Sequence, residues 1–278
     1  MQSTASHNFA RAAATYDQAA VLARETGARM LERLQYTTLA PRRIADIGCA
    51  TGDGVRALQK RYPAAQALAI DFALPMLRAV RAGTPRLQRV LGRAPRLLNA
   101  DVNALPLAAG SLGLVWSNLM LHWLDDPLPA LREMHRVLEA DGLVMFATLG
   151  PDTLRELRLA ARGVLVEDTL RRFPDMHDLG DMLVAAGFAD PVMDMEMVTL
   201  TYATARGFLA DQRHLGVRDA LLGRRAGGWR EWRKLLSAWP RDADRRLPAS
   251  FEIVFGHAWK VPLKKTTDGR KVIQLHRR

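Results

Sequence analysis

Cysteine is nearly absent. Cys49 is the only one in 278 residues, which excludes an internal disulfide framework and any cysteine-rich zinc site. Long apolar runs are missing too: no stretch approaches the roughly 18–20 uninterrupted apolar residues of a membrane-spanning helix. Met1 to Ala10 is polar and lacks the apolar core of an export signal. A reducing cytoplasm is therefore the expected compartment, with no membrane partner. No repeat of solenoid spacing and no low-complexity block interrupts the chain. His122, His177 and His257 lack the spacing of metal ligands, so no metal is expected, and a structural hydrogen bond is the expected role of each.

At 49% hydrophobic residues the chain can bury a sizeable core, and its length suits one large α/β domain with a helical elaboration. Forty Lys and Arg against 29 Asp and Glu give a formal charge of +11. Such a field favours encounter with an acidic partner, whether nucleic acid or an acidic carrier protein. The basic residues are spread along the chain without interleaved aromatics, which weighs against nucleic acid. Their nearest approach to a cluster is the tail from Lys264-Lys265 to Arg277-Arg278.

Apolar periodicity predicts a helical region over 8–36, ended before Pro41. Short apolar runs predict strands at Ile44–Ile47, Ala67–Ile70, Leu97–Asp101, Leu112–Ser117 and Leu143–Leu149, with helices between them. A turn at Glu139-Ala-Asp-Gly142 should separate the helix 128–138 from the fifth strand. Strand and helix alternating at this spacing imply a doubly wound, mostly parallel sheet, because parallel strands need crossover helices. After residue 150 the rhythm changes. Helices are expected at Thr153–Val166 and Asp178–Ala186, a strand at Val192–Tyr202, and helix again over Ala205–Trp239 with a Gly227-Gly228 break. Arg241–Pro248 is a polar connector, and Phe251–Trp259 a final strand. The helical additions should cover the carboxyl edge of the sheet, where ligands of open α/β sheets bind. Met193, Met195 and Met197 alternate along one strand face, with core packing the default and an acyl channel the lesser alternative. Trp229, Trp232 and Trp239 should pack within the lid.

The first strand runs directly into Asp46-Ile-Gly-Cys-Ala-Thr-Gly52. Gly48 and Gly52 permit tight turns and close approach of a ligand. The pattern is neither a dinucleotide G-x-G-x-x-G nor a P-loop. It suits a ligand whose charged part is an amino acid, as in S-adenosylmethionine. The second strand ends at Asp71, where a carboxylate can accept both hydroxyls of a ribose. The third ends at Asp101, where one could take an adenine amino group. A lone Gly-x-x-x-Gly is usually a turn and a lone Asp a helix cap, but the three together at strand ends are far more specific.

These residues resemble the class I S-adenosylmethionine-dependent methyltransferases. The resemblance implies that Asp46 orders the loop and the methionine amino group, Asp71 holds the ribose and Asp101 the adenine. Gly48, Cys49, Gly52, Phe72, Val102 and Ser117 complete the implied cofactor set. Two positions depart from the usual pattern. Ala50 replaces a middle glycine, and Gly113 stands where the fourth strand often begins with Asp.

Four further stretches narrow the resemblance and span almost the whole chain. They are Phe9-Ala-Arg-Ala-Ala-Ala-Thr-Tyr16-Asp17, Ser117-Asn-Leu119 through His122-Trp123, Phe146-Ala-Thr-Leu149 through Thr153-Leu-Arg155-Glu-Leu-Arg158, and Phe251 to Trp259. They are similar to the malonyl-acyl-carrier-protein O-methyltransferases of biotin synthesis. That resemblance implies a malonyl group on acyl carrier protein as substrate and adds Tyr16 to the catalytic candidates. Complex I assembly factors of the same fold share the Thr-Leu-x-Glu-Leu-Arg run and a segment like Asp211 to Gly216, so modification or assembly of a folded protein is the alternative. A nucleic-acid methyltransferase would want an amine-methylation motif or an RNA-binding module, and the sequence has neither.

The chemistry agrees with a carboxyl substrate. A carboxylate is ionised at neutral pH, with a reference pKa near ~4, so its methylation needs no general base, only alignment and exclusion of water. It does want a cationic clamp, and Arg155 and Arg158, just past the fifth strand, are the candidates. The expected organisation is 1–40 as helices covering the cofactor site and 41–150 as the cofactor-binding core. A lid comes next at 151–250, then a closing antiparallel strand with a basic tail at 251–278.

Overall fold

The computed structural model describes residues 2–162, 171–217 and 229–262. The chain opens with α1 (Gln2–Ala12), α2 (Tyr16–Ala19) and α3 (Val21–Leu34). It then alternates through β1 (Arg43–Ile47), α4 (Asp53–Arg61), β2 (Gln66–Asp71), α5 (Leu74–Gly83), the short α6 (Arg86–Val90) and β3 (Arg96–Asn99). Next come β4 (Leu112–Asn118), a 3-10 turn at Leu121–Trp123, α7 (Leu128–Val137) and β5 (Leu138–Leu149). Beyond them lie α8 (Arg155–Ala161), α9 (Met176–Ala186), β6 (Ala189–Tyr202), α10 (Ala205–His214), α11 (Trp229–Ala238) and β7 (Leu247–Trp259).

The seven strands form one sheet in the order β3-β2-β1-β4-β5-β7-β6. Pairs from β3 to β5 are parallel, and β7 runs antiparallel between β5 and β6. This is the expected doubly wound, Rossmann-like sheet with an antiparallel last strand. Period-2 alternation divides its side chains between two cores. Ile44, Ala69, Leu114, Trp116 and Met145 face one side, packed with α3 and α4. Ala45, Ile47, Ile70, Val115 and Phe146 face the other, packed with α7 and α9. The chain leaves β1 toward β2 and later returns to β4 on its other side. That reversal opens a crevice at the carboxyl ends of β1 and β4.

Several expectations change. The helical region 8–36 is three helices, because the turn at Thr15 is held from outside: its hydroxyl meets the His214 carbonyl at 3.2 Å. The turn at 139–142 does not separate helix from strand; β5 begins at Leu138 and absorbs these residues as an irregularity opposite Leu112 and Leu114, with Asp141 at a φ of 61°. β7 starts at Leu247 rather than at Phe251. The alternating methionines form no buried stripe. β6 is an edge strand, Met193 packs on the second core and Met195 is exposed. Trp239 is buried with its Nε1 donating to the Pro248 carbonyl at 2.9 Å, and Trp232 packs on the first core. The helix expected at Thr153–Val166 is shorter: α8 starts at Arg155 and ends at Ala161, with Arg162 extended. The side chain of Trp229, the Gly227-Gly228 break, residues 163–166 and the basic tail from Lys264 lie outside the described residues.

Gly113 has a packing cause. A Cβ there would stand 2.8 Å from Glu139 Oε1 and 2.9 Å from Pro41 Cβ. Any larger residue would displace the segment entering β1. Across the sheet edge, Arg29 pairs with Glu196, and Arg33 bridges Glu196 and Asp194 while stacking 3.9 Å over the Phe255 ring. These contacts fasten α3 to β6 and β7.

Candidate active site

A cavity of about 390 Å³ opens at the crevice. Strands β1 to β5 contribute at or just past their carboxyl ends: Gly48 and Ala50 after β1, Asp71 and Phe72 at the end of β2, Ala100 to Val102 after β3, Asn118 to Met120 at the end of β4, and Leu149 at the end of β5. The N-terminal helices add Phe9, Tyr16 and Ala20, and α10 adds Gln212.

The loop after β1 is held by Asp71. Its Oδ2 accepts from the Ala50 amide at 3.0 Å and its Oδ1 from the Ala73 amide at 2.8 Å. Both oxygens are therefore anchored on the backbone side, and each keeps a lone pair for a ligand. Burial outweighs these hydrogen bonds and raises the carboxyl to about 6. Asp46 is also buried, but it does not line the cavity. Its carboxyl faces the start of α4, accepts from the Val55 amide, and burial pushes it up to about 7.

Ala50 sits at a φ of 45°. A left-handed backbone costs a residue with a Cβ about 1–2 kcal/mol. Ala50→Gly is therefore expected to raise stability by about 0.5–1 kcal/mol, after the greater freedom of glycine in the unfolded chain is set against it. Denaturant midpoints measure this, and a variant no more stable than the parent would show that the loop carries no strain.

The other candidates divide. Phe72, Asp101 and Val102 line the cavity with Asp71 and Gly48. Asp101 lies at its exposed margin, with Oδ1 accepting from the Asn103 amide at 2.9 Å. Cys49 is buried in the first core, where burial raises its thiol. Gly52, at a φ of 93°, starts α4. Ser117 is fully buried and donates to the Ile47 carbonyl at 2.9 Å, joining β4 to β1. Cys49, Gly52 and Ser117 thus stand behind the lining rather than in it.

Tyr16 lines the cavity, and burial followed by the charges of Asp71 and Asp17 pushes its phenol upward. The hydroxyl therefore stays protonated at neutral pH. Its neighbour Asp17 accepts from the Thr51 hydroxyl. The opening segment is thereby bonded to the loop it covers. Phe9 packs edge-on against Phe72 and Trp123, with ring centroids 5.9 and 4.7 Å apart.

Arg155 and Arg158 do not line the cavity. α8 turns its Leu157 inward, which leaves Arg155 largely exposed beside Glu156 at 3.5 Å. Arg158 donates to the carbonyls of Thr153 at 2.9 Å and Arg171 at 2.6 Å. His177 is exposed beside Asp175, and His257 is half-buried on β7. His122 corrects the expectation of a structural hydrogen bond: it is buried at the cavity wall, and its Nδ1 has no partner. The sequence signal was available, since His122 lies just past the end of β4.

Known proteins resemble this chain in sequence and in fold. The methyltransferase-domain family matches residues 45–146. The chain is 49% identical over 270 residues to malonyl-acyl-carrier-protein O-methyltransferase of Gallionella capsiferriformans, covering 96% of this chain and 93% of that one. It is 49% identical to the protein of the same name from Laribacter hongkongensis, covering 97% and 94%. The chain belongs to the malonyl-acyl-carrier-protein O-methyltransferase family. Among solved structures it resembles an arsenic(III) S-adenosylmethionine methyltransferase of Chlamydomonas reinhardtii, at a TM-score of 0.51 and 17% identity over 79% of this chain and 64% of that one. That likeness is one of fold. As a member of its family the chain is a methyltransferase whose cofactor is S-adenosylmethionine. The cavity fits that group: carboxylates at Asp71 and Asp101 can accept hydroxyl and amine protons, beside an apolar slot of Ile70, Phe72 and Val102.

Proposed function

We propose that this enzyme methylates the free carboxylate of a malonyl thioester on acyl carrier protein, giving the methyl ester that enters biotin synthesis. The observation carrying this reading is near-full-length identity of 49% to enzymes of that name, joined to a cavity whose described Tyr16 and His122 are poor bases. Tyr16 is held protonated, and burial lowers His122 to about 3. A carboxylate nucleophile needs neither.

S-adenosylmethionine supplies an electrophilic methyl group on a sulfonium. Asp71 would accept the ribose hydroxyls and Asp101 the adenine amine, with Phe72 and Val102 offering apolar surface to the base. Gly48 and Ala50 would present backbone to the methionine portion, with Asp46 ordering the loop from behind. Tyr16 and the Phe9 cluster close the cavity and exclude water, so the reacting atoms meet in fixed alignment. The helices α1 to α3 form the cofactor cover, and the described parts of 151–250 form the lid over the malonyl group. The surplus positive charge draws in an acidic carrier. A cytoplasmic setting suits a chain whose one cysteine is a buried free thiol.

Purified protein with methyl-labelled S-adenosylmethionine tests the proposal. Label is expected in a base-labile ester on malonyl-carrier, with none on acetyl-carrier or RNA. Labelling of a protein side chain or RNA, with malonyl-carrier untouched, would overturn it.

A further inference from the structure

The main cavity poses a problem for an anionic substrate. Among its described lining residues there is no lysine or arginine, while Asp71 and Asp101 both stand on its wall. A carboxylate entering it needs a cation from beyond that lining.

One lies next door. A second cavity of about 330 Å³ shares His122 and Leu124 with the first, and Arg171, Arg172 and Phe173 line it. The Arg171 side chain is only 13% exposed. Its Nη2 donates to the Leu124 carbonyl at 2.8 Å and lies 3.5 Å from Asp125, whose side chain is 74% exposed and so is screened by water. Arg171 thus keeps its charge in a partly dry setting, where charge acts over a longer range. Between the two cavities stands His122, 7% exposed, edge-on to the Phe173 ring with centroids 5.9 Å apart. Burial, and then the Arg171 charge, keep its ring neutral. A buried polar atom without a partner is costly, and Nδ1 of His122 is such an atom.

We propose that the junction of the two cavities seats the malonyl carboxylate, held by an N–H of His122 and the positive field of Arg171, with Arg172 at the outer rim. This rests on the malonyl reading of the substrate. One N–H on one oxygen leaves the other oxygen free to attack the methyl group, which a two-pronged arginine clamp would hinder. An acetyl group would leave His122 unpartnered, and sites built around a polar group reject analogues lacking it. The ester product carries no charge for Arg171 to attract, so it leaves readily.

The test uses wild type, R171Q, R171K and H122A. Glutamine keeps a donor for the Leu124 carbonyl and removes the charge, which separates binding from structural support. R171Q and H122A are expected to raise KM for malonyl-carrier at least tenfold and to narrow the preference for malonyl- over acetyl-pantetheine in binding. S-adenosylmethionine affinity should be unchanged, and R171K should recover much of the loss. In the complex with S-adenosylhomocysteine, malonyl-pantetheine should move the His122 NMR titration upward, and acetyl-pantetheine should not. An active wild type with R171Q and H122A at wild-type KM and selectivity overturns this inference alone. A wild type inert toward malonyl-carrier overturns the substrate reading, and the inference with it.

Discussion

Asp71→Ala should lower affinity for S-adenosylmethionine by about tenfold to a hundredfold. Hydrogen bonds to a charged group contribute about 1.5–3 kcal/mol, and each 1.4 kcal/mol is a factor of ten in affinity. The change acts twice. It removes the acceptor facing the cavity, and it releases the Ala50 amide that Asp71 holds at 3.0 Å. Because Ala50 is held in the left-handed region, the freed loop is expected to relax out of its binding shape. Asp71→Asn should be milder, since its one remaining oxygen can still accept from Ala50 or Ala73. Calorimetry with circular dichroism as a folding control measures both variants. A well-folded Asp71→Ala protein with parental affinity would remove Asp71 from the cofactor site.

The strand-end lining of the cavity was legible in the sequence because its residues lie where apolar runs stop. Asp71 terminates β2, and the glycine loop comes directly after β1, so local pattern and tertiary place coincide. The substrate side was not. Nearness to the end of β5 suggested Arg155 and Arg158, but α8 starts from Leu154 at a φ of 55° and buries Leu157. That orientation sends one arginine to solvent and the other to backbone carbonyls. Arg171, which lines the neighbouring cavity, lies outside every helix and strand and so had no periodicity to announce it. The broken N-terminal helix has the same kind of cause. Ala13-Ala-Thr15 contains no glycine or proline, and its turn is held by His214 of a helix distant in sequence. The five-residue α6 buries nothing and gave no apolar period to detect.

The two raised carboxyls give a second large effect, in pH. Asp71 at about 6 and Asp46 at about 7 are shifted chiefly by burial, whereas both titrate near ~4 in an unfolded chain. Between about pH 4 and 7 the unliganded fold therefore binds more protons than the unfolded chain. Its stability from these groups is greatest near pH 4, falls as pH rises through that window, and levels off above about 7. Cofactor binding should run the other way. The sulfonium and ammonium are cations, and the ribose hydroxyls donate to an ionised acceptor, so the bound state favours the carboxylate. Binding below neutrality must then expel a proton from Asp71. A group titrating near 6 makes affinity about tenfold weaker at pH 5 than at pH 8, and Asp46 adds to this to the extent that it ionises with the loop. Thermal stabilisation by S-adenosylmethionine should be larger at pH 8 than at pH 5.5. Calorimetry near pH 6 in buffers of different ionisation enthalpy should register proton release, reduced in Asp71→Asn. A cofactor affinity flat from pH 5 to 8, with no proton exchanged, would show that neither buried carboxyl changes its charge when the site fills.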